Sequence, residues 1–191
     1  MPDSRRFARL AAACLARALA AVVLPAASVH AQAVPDVHIT EYGEYVARRD
    51  LGVLPPDPDA GRTVPLVIVE APRFVARTDR IEAKPCHGFG IRFRLSPPDP
   101  ARTVRLTVRV THPPMALPDG GLREVSTYPQ QVGREPGFAG YSFDEPWEMV
   151  PGTWTFAVLF GDKVLAERRF EVVMPPGADA PPRGGCAALV S

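Results

Sequence analysis

The sequence predicts an all-β protein, an antiparallel β-sandwich of about seven short strands. Three observations lead to this prediction. Several segments alternate apolar and polar residues with a period of two, the pattern of strands with one buried face. No segment has the periodicity of an amphipathic helix. The 191-residue chain contains 23 prolines in clusters, and proline, which lacks an amide hydrogen, ends helices and is confined to loops and strand edges.

The first part of the predicted domain contains three strand candidates around a loop. Residues 37–46 have strand composition and are expected to bulge at Gly43, because glycine interrupts the run. Residues 50–64 are rich in Pro, Asp and Gly, which is typical of a loop. Residues 65–69 and 73–81 are weaker strand candidates.

Two central segments alternate most regularly and provide much of the predicted core. Apolar side chains alternate with Gly and Arg in residues 89–95, and with Arg and Thr in residues 104–110. Each segment therefore predicts a strand with one buried and one outer face. The predicted inward residues are Phe89, Ile91, Phe93, Leu95, Val104, Leu106, Val108 and Val110.

The last two strands, in residues 153–173, pose a register problem. A strict two-residue turn between them would pair Trp154 with Arg169 and place an apolar face beside a polar one. A one-residue slip turns every side chain to the opposite face of a strand. We therefore expect either a three-residue loop or a bulge from Glu167 to Arg169, so that Trp154 pairs with Phe170.

The N-terminus is typical of a secretory signal peptide, because a basic segment precedes an apolar stretch and small residues at a cleavage site near Ala31. The sequence thus divides into a signal peptide at 1–31, a β-sandwich domain at 32–174 and a Pro/Gly-rich tail at 175–191. Cleavage removes four Arg and one Asp, which leaves 18 basic and 20 acidic residues and a net charge of −2. This balance does not predict nucleic-acid binding. The expected location is the periplasm or the exterior of the cell.

Three alternatives for the N-terminal segment stay open. The apolar stretch could be a retained membrane anchor, although Arg17 interrupts it. Ser4-Arg5-Arg6 partly matches a twin-arginine signal, so the export route is undecided between this pathway and the general secretory one. Ala-Ala-Ala before Cys14 is similar to a lipoprotein cleavage box, which would make Cys14 a lipid-anchored terminus.

The run from Trp147 to Phe156, with its corner Pro-Gly-Thr-Trp-Thr-Phe, resembles a bacterial family of exported domains of unknown function. Ile39-Thr40-Glu41-Tyr42-Gly43 and Gly88-Phe89-Gly90-Ile91-Arg92-Phe93 resemble its earlier motifs, and the similarity extends over residues 37–173. The resemblance implies an exported, immunoglobulin-like domain without an assigned activity and supplies no catalytic residue. The motif residues, to which we assign a structural role, are Glu148, Pro151, Gly152 and Trp154.

The motifs of common enzymes and metal sites are missing from the sequence. It contains no Gly-x-Ser-x-Gly segment for a serine nucleophile. His38, His87 and His112 lie in separate segments, without the fixed spacing of zinc ligands. We therefore predict no enzyme activity, no metal and no cofactor.

Two groups of charged residues were weighed as candidate sites. Asp144, Glu145 and Glu148 lie near two Trp residues, so they could serve a glycosidase or accept hydrogen bonds from turn amides. Arg92 and Arg94, together with Arg105 and Arg109, are the outer residues of two successive strands. If those strands pair, the four guanidinium groups share a face that could bind an anionic envelope polymer or lipid headgroup, or could be solvated and balanced by neighbouring carboxylates.

A disulfide between Cys86 and Cys186 is expected, because these are the two cysteines left after cleavage and export places them in an oxidising compartment. The bond would fasten the tail across one end of the sandwich. Two free thiols and an intermolecular bridge are the alternatives.

These observations favour a non-enzymatic domain of the cell envelope that binds or presents another molecule. The predicted partner is an envelope protein or an anionic envelope polymer, with no nucleic acid and no transmembrane segment after signal cleavage. The alternatives are a carbohydrate-active or hydrolytic enzyme that uses the acidic loop near Trp147, and a lipid-anchored envelope component.

Overall fold

The structure, a computed structural model, describes residues 34–48, 52–68, 70–97 and 101–177. These residues form eleven strands and one short 3-10 helix at Pro146–Glu148. The strands are β1 Asp36–Arg48, β2 Val53–Leu54, β3 Leu66–Val67, β4 Glu70–Ala76, β5 Arg80–Glu82, β6 Gly88–Ser96, β7 Val104–Ala116, β8 Leu122–Val132, β9 Gly137–Ser142, β10 Gly152–Phe160 and β11 Lys163–Val173.

Nine of these strands form the two sheets of a sandwich. One sheet has the order β4-β1-β6-β9, and the other has the order β5-β11-β10-β7-β8. Neighbouring strands are antiparallel except for the parallel pair β5 and β11. β2 and β3 form a separate two-stranded hairpin. The predicted all-β antiparallel sandwich is correct, with two more sheet strands than the expected number.

The core lies between the sheets and is built from the predicted alternating residues. The eight predicted inward side chains of β6 and β7 are all buried. Phe89 is the centre of an aromatic cluster, because its ring lies 5.4–6.4 Å from five others: Tyr141, Phe143, Trp154, Phe156 and Phe170. Such close aromatic contacts add to the stabilisation by apolar burial.

The bulge predicted at Gly43 is displaced, because in the pairing of β1 with β4 the register shifts one residue later, between Glu44 and Tyr45. In the pairing of β1 with β6 a separate shift falls between Ile39 and Glu41, while Gly43 pairs directly with Gly90. Gly43 has φ +121°, and a Cβ atom there would lie 2.1 Å from the carbonyl oxygen of Ala76. Glycine is thus required for close approach to the neighbouring strand and for its backbone conformation.

The final hairpin combines a two-residue turn with a bulge. Phe160 pairs with Lys163 across the turn, and a register shift at Leu165 then allows Val158 to pair with Ala166. Trp154 consequently pairs with Phe170, as predicted. The predicted position of the bulge, Glu167 to Arg169, is wrong. The bulge occurs next to the turn instead. All residue pairs from Val158 and Ala166 to the end of the hairpin therefore have the register that places Trp154 opposite Phe170.

The arginine face predicted from Arg92, Arg94, Arg105 and Arg109 does not form. β6 and β7 are successive in the chain but belong to different sheets, so the first pair and the second pair lie on opposite outer surfaces of the sandwich. The chain crosses between the sheets because the apolar faces of both strands must meet in the core. Arg92 also contacts the carboxylate of Glu41 and the carbonyl of Pro72, while Arg105 donates to the carbonyl of Ala60 at 2.9 Å.

Several predictions concern residues outside the described ranges. They include the signal peptide at 1–31 with Cys14, and most of the tail at 175–191 with Cys186. The domain boundaries and the Cys86–Cys186 bond therefore stay predictions. Among the described residues, no helix has the length and apolar character to cross a membrane.

Candidate functional site

A cleft of about 770 Å³ opens on one side of the sandwich. Its two long walls are β8, the last strand of the five-stranded sheet, and β9, the last strand of the four-stranded sheet. The remaining lining comes from residues 64–68 and 117–119, and from individual residues of other segments: Asp144, Trp147, Glu148, Tyr45, Pro72 and Val110. Thr63 holds the first of these segments against β8, because its amide donates to the carbonyl of Thr127 at 3.0 Å and its hydroxyl accepts from the Thr127 amide at 2.9 Å.

Polar side chains of both cleft strands line the opening, from inner positions of β8 and, on β9, from Ser142 at an outward-facing position. Ser126 and Tyr128 of β8 are buried, with exposures of 4% and 5%. The hydroxyl oxygen of Ser142, at the end of β9, is also buried and has no hydrogen-bond partner among the described residues. The phenol oxygen of Tyr128 accepts a hydrogen bond from the backbone amide of Gly140, and burial raises the pKa of this phenol. Tyr128 therefore joins the two strands at the cleft, whereas the Ser142 hydroxyl forms no such contact within the described residues.

The carboxylate of Glu148 organises the acidic loop beside the cleft. Its Oε2 accepts hydrogen bonds from the amides of Asp144 at 2.6 Å and Glu145 at 2.8 Å, and its Oε1 accepts one from the Tyr141 hydroxyl at 3.0 Å. Burial raises the pKa of Glu148, and these hydrogen bonds oppose the rise. Of the two readings of this loop, the geometry agrees with a carboxylate that accepts hydrogen bonds from turn amides.

The corner after this loop depends on glycine and tryptophan. Gly152 has φ +125°, and a Cβ atom there would lie 2.8 Å from Cγ of Pro113. Trp154 is fully buried and donates from its indole nitrogen to the carbonyl of Val150 at 3.0 Å. The ring of His112 stacks on Trp154 with a centroid distance of 4.6 Å. These residues therefore connect the acidic loop firmly to the core.

The second tryptophan has a different environment. Trp147 lies in the 3-10 helix, is half-buried and lines the cleft. It packs against the core cluster. Among the described residues, however, its ring contacts no other aromatic ring and its indole nitrogen donates to no acceptor. A half-buried tryptophan with these properties is typical of ligand-contacting positions.

The charged groups of the cleft are mainly acidic. Asp119, Asp144 and Glu148 line it together with a single basic side chain, that of Arg123. Within the described residues, no group of three His, Cys, Asp or Glu side chains is arranged to hold a metal ion.

The opposite side of the sandwich is filled by a cation–π stack. Arg168 lies opposite Phe156 and therefore faces inward, with its guanidinium carbon 3.6 Å from the ring centroid of Tyr42. Arg77 lies 4.6 Å from the same centroid, and Arg168 pairs with Asp79 at 3.2 Å. A hydrogen bond from Arg77 is the main cause of a lowered pKa at Tyr42. The cleft of about 770 Å³ is thus on the β8–β9 side, and a pocket of about 300 Å³ lies near Arg80 and Val173 on the opposite side.

Sequence reasoning identified the acidic loop and Trp147 but missed the cleft as a whole. The sequence indicates a serine site only through a Gly-x-Ser-x-Gly motif, which is missing, and it marks residues 65–69 only as a weak strand. One signal was present in the sequence: Ser126 occupies an inner position two residues before Tyr128, where a core strand normally carries an apolar side chain.

Comparisons with known proteins agree with the observed architecture. A family model described as a domain of unknown function, DUF3859, matches residues 35–172. The crystal structure of an immunoglobulin-like protein from Pseudomonas aeruginosa is similar, with 26% sequence identity and a TM-score of 0.51, and the match covers 72% of this chain and 97% of that chain. The comparison with curated proteins gives no match. The all-β sandwich is immunoglobulin-like, as the corner motif implied.

Proposed function

The chain belongs to the DUF3859 family of domains of unknown function, and from this premise we propose an exported, non-enzymatic binding domain of the cell envelope, with the cleft between β8 and β9 as its ligand site. The observation that carries the proposal is the cleft itself. Its volume of about 770 Å³ lies within the usual range for small-molecule sites. Its lining combines many apolar side chains with a few polar ones, as such sites commonly do.

The hydrogen bonds of Glu148 support binding rather than catalysis. A general acid or base must lie within hydrogen-bond reach of the proton that it transfers. Both carboxylate oxygens of Glu148 already accept hydrogen bonds from the loop and from Tyr141. Catalytic use of this group would disrupt the loop that shapes the cleft.

The envelope location rests on the sequence of residues 1–31. An envelope protein or polymer stays the proposed source of the ligand. An anionic polymer is less favoured as the ligand, because the four arginines predicted to bind it do not share one face.

Native mass spectrometry of the protein purified from envelope fractions tests the binding proposal. We expect an additional bound mass on the wild-type chain and on Leu122→Ala, a control at a 73% exposed residue of β8 that does not line the cleft. Trp147→Ala should lose that mass. A wild-type chain with no additional bound mass in any envelope fraction would contradict cleft binding.

The same preparations test export and the alternative functions. The mature chain should begin at Gln32 or Val34. An intact Met1 contradicts export, and a lipid-modified Cys14 favours the lipid-anchored component. Glycoside, ester or peptide turnover that disappears in Glu148→Gln would replace the binding domain with a hydrolase.

A further inference from the structure

We infer that the cleft binds a short segment of a neutral glycan, with one sugar ring against Trp147 and sugar hydroxyls bonded to polar side chains of β8 and β9. This inference rests on the proposed function and names the class of ligand. It depends on three features of the cleft: its tryptophan, its buried hydroxyls and its charge.

A sugar-stacking site requires an aromatic ring that is accessible from the cleft, and the two tryptophans of the chain differ in this respect. Trp154 is enclosed by aromatic rings and has its indole hydrogen bonded to Val150. Trp147 lines the cleft, half-buried, with no aromatic ring of the described residues on it. The face of an aromatic ring carries negative potential and attracts the weakly positive C–H groups that a pyranose ring presents on its flat side.

The buried hydroxyls require a ligand that forms hydrogen bonds. Ser142 has a buried oxygen without a partner in the described chain, and Ser126 is 4% exposed in the same cleft. A hydrocarbon chain would leave such groups unpaired, which is unfavourable. Each serine hydroxyl is both a donor and an acceptor, and so is each sugar hydroxyl. Gln130 adds an amide to the same lining.

The charges of the cleft favour a neutral glycan over an acidic one. Asp119, Asp144 and Glu148 outnumber Arg123. Carboxylates accept hydrogen bonds from sugar hydroxyls but repel uronate groups. The ligand that fits is therefore a neutral oligosaccharide.

Isothermal titration of the exported protein with four neutral trisaccharides tests the inference. The probes are maltotriose, cellotriose, xylotriose and N,N′,N″-triacetylchitotriose, with trigalacturonic acid as the charged comparison. We expect binding of at least one neutral probe and weaker binding of trigalacturonic acid. Failure of all four neutral probes, or tighter binding of trigalacturonic acid, would overturn the inference.

Variants then locate the bound sugar. Trp147→Ala should weaken binding about tenfold or more, as substitution of a contact tryptophan commonly does, and Trp147→Phe should recover most of the affinity because a ring is restored. Ser142→Ala should weaken binding by about three- to tenfold, and Leu122→Ala should leave it unchanged. Urea unfolding of each variant establishes that the fold is retained. Binding that Trp147→Ala does not affect would also overturn the inference.

The two proposals can fail separately. If the mass that is lost in Trp147→Ala belongs to a lipid or a peptide, the protein is a binding domain but its ligand is not a glycan. If native mass spectra show no bound mass and titration gives no signal, both the binding-domain proposal and the glycan proposal are wrong.

Discussion

At the scale of single residues, the half-buried carboxylate of Glu148 lines the cleft and accepts hydrogen bonds from three donors. Its two amide donors belong to the loop that precedes the 3-10 helix, and the third, Tyr141, belongs to β9. Burial raises the pKa of Tyr141, so its hydroxyl remains a donor at neutral pH. One side chain therefore fixes the loop to the edge of a sheet.

Removal of Glu148 should destabilise the domain. Glu148→Ala leaves the Tyr141 hydroxyl and two loop amides without their acceptor, and we expect a loss of about 3 kcal/mol in the free energy of unfolding. Urea unfolding monitored by tryptophan fluorescence measures this loss. Glu135→Ala, at an exposed loop position, is the control and should change stability by less than about 0.5 kcal/mol. Equal stability of both variants would show that the three hydrogen bonds contribute little.

His112 should make stability depend on pH. Burial lowers the pKa of this histidine, whose Nε2 has no partner among the described residues. Because the folded-state pKa is below the unfolded value of about 6.5, the stability contribution is full above about pH 6.5 and falls as pH decreases towards the folded pKa.

Urea unfolding at pH 7.5 and pH 5.0 tests this dependence. His112→Phe keeps a ring on Trp154 but cannot be protonated, so it should lose less stability on acidification than the wild type does. All other pH-dependent contributions are shared by the two proteins and cancel in the comparison. An identical loss in both proteins would exclude His112 as the cause.

At the scale of elements, the corner between the 3-10 helix and β10 determines where the acidic loop lies. Gly152 begins β10 with a left-handed φ and packs against Pro113. β10 then carries Trp154 into the core, beside Phe170 of β11. A change at the corner therefore affects both the loop and the strand.

Gly152→Ala should destabilise the domain by about 2 kcal/mol or more, because it combines an unfavourable φ with a contact to the Pro113 ring. Gly120→Ala is the matched control. Gly120 also has positive φ, +84°, but a Cβ atom there has no neighbour within 4 Å, so only the backbone term of about 1 kcal/mol applies. Thermal unfolding compares the two variants. Equal shifts in Tm would mean that the contact between the added Cβ atom and the Pro113 ring does not destabilise the fold.

At the scale of the whole molecule, the two sides of the sandwich differ. Arg168 and Tyr42 fill one side with a cation–π stack. The other side remains open between β8 and β9 and is lined by residues from distant parts of the chain. The asymmetry places the 770 Å³ cleft on the β8–β9 side, while the side with Arg168 and Tyr42 has a pocket of about 300 Å³.

The predicted Cys86–Cys186 bond belongs to this scale, because it would close a loop of about 100 residues and contribute on the order of 4 kcal/mol in the chain-entropy model. Thiol alkylation of the exported protein, before and after reduction, tests it. We expect labelling of both cysteines only after reduction, and the Cys86→Ser variant should leave Cys186 labelled without reduction. Full labelling of the unreduced wild type would contradict the bond.

The sequence by itself determined the strands, their inner faces and the aromatic core. Alternation in β6 and β7 identified the buried side chains, and the corner motif identified the family. The alternation of apolar and polar side chains also predicted that the last hairpin needs an extra residue or a bulge to bring its apolar residues onto one face. These are local properties, because successive side chains of a strand point to opposite faces regardless of what the strand pairs with.

Only the tertiary structure decided which strands share a sheet and where the open side lies. β6 and β7 are consecutive and similar in pattern, yet they belong to opposite sheets, which separates the four arginines. The cleft brings together Ser126, Ser142 and residues 64–68. No local pattern links such distant segments, because sheet partners are chosen by long-range pairing that must bury both inner faces at once.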